Sequence, residues 1–81
     1  MTLKEKMLRY KVMEFHQELT QEGQYLAAWK VLGLLRKGYI YLDFSDVDWM
    51  LEEKLGKLGC RIRYDNRWFQ GRACMKPEQG R

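Results

Sequence analysis

Residues 60–75 read CRIRYDNRWFQGRACM, two runs that alternate basic with apolar or aromatic residues on either side of Asp65-Asn66. Both turn residues tolerate the left-handed backbone that a two-residue hairpin loop demands. With that loop, Tyr64 pairs with Arg67, Arg63 with Trp68, Ile62 with Phe69 and Arg61 with Gln70. Alternation then separates the side chains by chemistry. One face collects Cys60, Ile62, Tyr64, Phe69 and Ala73, a core-facing set, and the other collects Arg61, Arg63, Trp68, Gln70 and Arg72. In this register Cys60 lies opposite Gly71 and on the other side of the sheet from Cys74, so no disulfide is expected between them.

Upstream of the hairpin the pattern turns helical. Ser45 has the form of an N-cap, Asp48 three positions later completes a capping-box signature, and Asp46 favours the positive helix end. Val47, Met50, Leu51, Leu55 and Leu58 supply the inner stripe of this helix and Gly59 its stop, while Trp49 points away. Before it, Tyr39–Phe44 alternates as a strand, with Ile40, Leu42 and Phe44 on one side and Tyr39, Tyr41 and Asp43 on the other.

Two more helices precede the strand. Thr2 and Glu5 form a capping box, and Leu8, Val12, Phe15 and Leu19 give a first helix over about residues 3–20 an apolar stripe. A second group, Leu3, Met7 and Tyr10, lies on a different side of it and suits self-association as a homodimer. Beyond Gly23 comes a helix from Gln24 to Lys37, with Tyr25, Ala28, Trp29, Leu32 and Leu35 on one face and Leu26, Val31 and Leu34 on others. Apolar residues all round predict burial on several sides. Gly38 ends it, and the residues after Met75, KPEQGR, read as a frayed basic tail at about 76–81.

The expected fold is therefore a single small α+β domain: two N-terminal helices, then strand, helix and β-hairpin, with a three-stranded antiparallel sheet packed against the helices. Its 81 residues have room for one modest core, and 46% hydrophobic content with one proline argues for a folded chain. The net charge of +4 is unevenly spread: residues 1–23, 24–45, 46–59 and 60–81 carry 0, +2, −2 and +4. No apolar run approaches the roughly 18 residues of a membrane span and no secretion-signal core is present, so a cytoplasmic location without membrane attachment is expected. Two cysteines and one histidine are poor material for structural zinc.

Catalytic chemistry finds little to work with. His16 sits at the edge of the first helix's apolar stripe, the lone serine is explained as a cap, and Cys74 beside Arg72 has no base to activate it. Asp43, Asp46 and Asp48 form a loose carboxylate group without the glycine and terminal glutamate of a calcium loop, and capping accounts for two of them. No cofactor or metal site is expected, and the chain reads as a non-enzymatic interaction module.

The leading expectation is a small protein-binding regulator or inhibitor, of the size found among phage and mobile-element proteins, contacting its partner through Arg61, Arg63, Arg67, Trp68, Gln70 and Arg72 together with exposed aromatics. The alternative is a nucleic-acid-binding domain of weak sequence selectivity, with arginines on the backbone and Trp68 stacking on a base. A winged-helix arrangement is disfavoured. One helix, not two, separates strand from hairpin, and its Asp46, Asp48, Glu52 and Glu53 would repel phosphates.

Overall fold

The computed structural model describes residues 2–64 and 71–77. Its elements run α1 (Leu3–Gln21), α2 (Tyr25–Lys37), β1 (Tyr39–Leu42), α3 (Asp46–Leu58), β2 (Cys60–Tyr64) and β3 (Gly71–Pro77), in the order the patterning predicts. The strands form one antiparallel sheet in the order β1-β3-β2, with the C-terminal strand at its centre. The helices pack on one face and leave the other open, a two-layer α+β architecture.

Local chemistry explains the helix limits. Thr2 Oγ1 accepts from the Glu5 N–H at 3.2 Å while the Thr2 N–H donates to Glu5 Oε1 at 3.2 Å, closing the capping box of α1. Gly38 and Gly59 end α2 and α3 in left-handed backbone, φ 88° and 112°, conformations that a side chain would strain. Ser45 caps α3 by accepting from the Asp48 N–H at 3.2 Å. The reciprocal half of the expected capping box is absent, because the Asp48 carboxylate is turned inward to other partners and the Ser45 N–H donates to Asp43 Oδ1 at 2.8 Å.

The core lies between the layers. Leu8, Val12, Phe15 and Leu19 of α1 meet Ala27, Ala28, Val31 and Leu34 of α2, Leu51 and Leu55 of α3, and Ile40, Leu42, Cys60 and Ala73 of the sheet. The α1 stripe is the expected one, and the α3 stripe holds with Val47, Met50 and Leu58 half-buried at its margin. α2 departs from expectation: Tyr25, Leu26 and Trp29 stand exposed, and the buried face is turned to Ala27, Ala28, Val31 and Leu34. Two alanines allow close approach to α1, which Tyr25 and Trp29 would have prevented. β1 stops at Leu42, two residues short of the expected strand end, and Phe44 is exposed against Trp49, ring centroids 6.5 Å apart.

The hairpin register also differs. Ile62 pairs with Ala73, Arg63 with Arg72, Tyr64 with Gly71 and Arg61 with Cys74, a shift of four positions from pairing around Asp65-Asn66. The expected pairs of Ile62 with Phe69, Arg63 with Trp68, Tyr64 with Arg67 and Arg61 with Gln70 are therefore not formed, and residues 65–70 lie outside the described residues. Because β3 is central, it must satisfy β1 and β2 together. Gly71 and Ala73 fill the crowded middle positions, facing Leu42 and Ile40 on one side and Tyr64 and Ile62 on the other. Packing in the central strand thus overrides the local turn signal. Cys60 lies opposite Pro77, not Gly71, after a register irregularity between Cys60 and Arg61. Lys76 and Pro77 belong to β3, so the strand reaches into the segment expected to fray.

Candidate functional site: the open face of the sheet

A four-residue shift preserves alternation, so the arginines keep the face that the sequence assigns them. Direct pairing across the sheet produces two rows on its open side. Tyr41, Arg72 and Arg63 form one, and Tyr39, Cys74 and Arg61 the other. Lys76 follows two positions after Cys74 on the same strand face. All of these but Tyr41, together with Gly38, line a shallow depression of about 400 Å³.

The carboxylates are confined to one layer. Strands β1, β2 and β3 carry Arg61, Arg63, Arg72 and Lys76 and no carboxylate, whereas every carboxylate of the described residues lies in the helices or the turns between elements. None of the four sheet cations makes an ion pair among the described residues. Lys76 lies near enough to the N-terminal turn of α1 to contribute to lowering Glu5, whose main cause is the hydrogen bond from the Thr2 backbone.

Arg72 is the centre of the arrangement. Its Nε is buried and lacks a hydrogen-bond partner among the described residues. Its guanidinium carbon stands 6.0 Å from the centroid of the Tyr39 ring, and Tyr39 in turn meets Tyr41 edge-on at 5.7 Å. Directly across β2–β3 sits Arg63. Like charges at directly opposed positions destabilise a sheet. An anion laid over the face would reverse the sign of that contribution.

Of the residues expected to bind a partner, the structure gathers Arg61, Arg63 and Arg72 on this face, while Arg67, Trp68 and Gln70 lie outside the described residues. Tyr39, Tyr41 and Lys76 join them. The sequence shows these tyrosines on the outer side of β1, but only the strand order brings β1 beside Arg72. Leu3, Met7 and Tyr10 are exposed together on α1. Trp49 also stands outside the core, on the helical layer with Phe44.

The catalytic candidates do not converge. Among the described residues no group of three His, Cys, Asp or Glu side chains stands close enough to hold a metal ion. Asp48, buried at 1% exposure, accepts from Lys30 Nζ at 2.6 Å and from the Asp43 N–H at 2.7 Å, a structural use of its whole carboxylate. Both cysteines are free; burial, with a smaller contribution from Cys74, pushes the Cys60 thiol up to about 12. Cys60 is thus a packing residue at neutral pH. His16 is half-buried at the margin of α1.

No known protein family, curated protein or solved structure matches this chain. No helix among the described residues is long and apolar enough to cross a membrane.

Proposed function

We propose that this protein is a non-enzymatic binding module whose open sheet face receives single-stranded nucleic acid. The observation that carries the reading is the opposed pair Arg63 and Arg72, flanked by Arg61 and Lys76 with no carboxylate in any strand. The bound chain would bring the phosphates that these cations lack. Tyr39 and Tyr41, 38% and 54% exposed, offer ring surface beside them for unstacked bases. A flat three-stranded face presents no helix to a major groove, and α3 carries Asp46, Glu52 and Glu53, so duplex DNA fits less well. The sequence expectation of a protein partner shares the same cations. Base stacking on the tyrosines separates the two readings, since an acidic protein surface needs the charge alone.

The test is anisotropy of a labelled 15-nucleotide oligo(dT) from 50 to 300 mM salt. Four phosphate contacts predict a slope of log K against log salt near −3, at about −0.7 per contact for single strands. Arg61→Ala should lower that slope by about 0.7, and Tyr39→Ala should weaken binding while leaving it unchanged. Absence of binding at 50 mM salt overturns the proposal. Equal affinity for polyglutamate and the oligonucleotide would assign the face to an acidic protein instead.

A further inference from the structure

We infer that the groove between α2 and the outer edge of β1 is a second binding surface, which takes an extended acidic segment of another protein as an added strand. It goes beyond the nucleic-acid reading and uses the outer edge of β1, where the groove shares Tyr39 and Tyr41 with the open face. The groove encloses about 500 Å³ and is lined by Trp29, Leu32, Gly33, Arg36, Lys37 and Tyr39 among others. Trp29 is 70% exposed, an unusual state for the largest apolar side chain in a helix whose other face is core.

Two observations specify the occupant. The first is the strand edge. The Met75 N–H donates to the Gly38 carbonyl at 2.8 Å, which fixes the alternation of the β1–β3 ladder. Ile40 and Leu42 therefore direct their backbone groups toward β3, and Tyr39 directs its N–H and C=O outward, along the groove. An extended peptide completes such an edge by main-chain hydrogen bonds and places alternate side chains against the neighbouring helix. Gly33 leaves the room: a Cβ there would meet nothing nearer than Ile40 Cγ2 at 3.7 Å.

The second is charge. Among the described residues Lys30, Arg36 and Lys37 line the groove and no carboxylate does; Lys30 is already paired with Asp48, leaving Arg36 and Lys37 for the visitor. A second copy of this chain, docked edge to edge about a twofold axis, would set these cations against their own counterparts. A segment alternating acidic with apolar residues satisfies cations, apolar wall and strand edge together.

The experiment follows backbone amide and indole NMR signals while adding an eight-residue peptide alternating glutamate with valine and phenylalanine. Controls are the same peptide with lysine for glutamate and one N-methylated at alternate residues. The acidic peptide should shift the Tyr39 amide and the Trp29 indole, with both controls at least tenfold weaker. Gly33→Leu, which fills the groove, and the exposed Arg36→Glu should each lower affinity at least tenfold while oligonucleotide binding by the sheet face persists, so the two proposals fail separately. Equal binding of the lysine peptide, undiminished binding by both variants, or shifts confined to Arg63 and Arg72 would overturn the inference. So would peptide-independent dimerisation abolished by Arg36→Glu.

Discussion

Asp48 shows how one buried charge can organise three elements. It lies in the first turn of α3, binds the Lys30 ammonium of α2 and holds the Asp43 N–H in the turn after β1. Deleting the carboxylate leaves an ammonium and an amide facing a hole, whereas trimming both partners removes the conflict. Asp48→Ala is expected to cost about 3 kcal/mol, the lower end for a broken buried pair, since Lys30 is 22% exposed and can partly rehydrate. Asp48→Asn keeps an acceptor for Asp43 and should cost less. In urea unfolding, the Lys30→Met/Asp48→Asn double variant should lose less than the two single variants together; strict additivity would mean the pair is uncoupled. Gly71 is a second position with no slack. A Cβ there would collide with the Arg63 carbonyl and approach the Tyr64 Cα to 3.3 Å, both backbone, so no rotamer relieves it. Gly71→Ala should therefore destabilise by about 3 kcal/mol, as overpacking does, and should disturb β2–β3 amide signals before those of α1.

Two helix starts contribute acid sensitivity to the fold. The Thr2 N–H and hydroxyl hydrogen-bond Glu5, and the Ser45 side chain and N–H hydrogen-bond Asp43, holding both carboxyls below their ordinary values. A carboxyl lowered in the folded state contributes stability above its unfolded pKa and loses it as pH falls through the folded one. The urea midpoint should therefore decline from about pH 4.5 downward, and Glu5→Gln with Asp43→Asn should flatten that decline; an unchanged acid slope would place the sensitivity elsewhere. The Thr2–Glu5 box, the Ser45 cap on the Asp48 N–H, and the stripe Leu8, Val12, Phe15 and Leu19 were legible because they depend on neighbours within one or two turns, whereas the Asp43–Ser45 bond was not read. α2 was not. Its apolar residues surround the helix, so periodicity could not choose between Trp29 and Val31, and the choice fell to the alanines that let α1 approach. The hairpin register was hidden for a related reason: Asp65-Asn66 is a local signal, while Gly71 and Ala73 answer to β1, which is some 30 residues distant in the chain. Alternation survived because the shift was even, and with it the basic face.

Among the described residues the strands carry cations alone, whereas the helices and turns carry cations and all the carboxylates. Segment charges showed the excess in residues 60–81, but the union of Arg72 with Tyr39 and Tyr41 required the strand order β1-β3-β2, which no local pattern encodes. Such sorting has a thermodynamic signature. Were the sheet face optimised for stability, an acidic residue would stand opposite Arg72 instead of Arg63. Arg63→Glu creates that opposite-charge pair, so the free protein should gain roughly 0.2–1 kcal/mol, the range of cross-strand pair effects. The same substitution reverses one of four contacts with a polyanion and should weaken oligonucleotide binding at 100 mM salt by at least tenfold. Stability rising while affinity falls is the behaviour of a binding site held away from its stability optimum. Urea unfolding and anisotropy on the same preparation decide it: if Arg63→Glu destabilises the free protein, the arginine has a packing role and the argument from like-charge opposition fails.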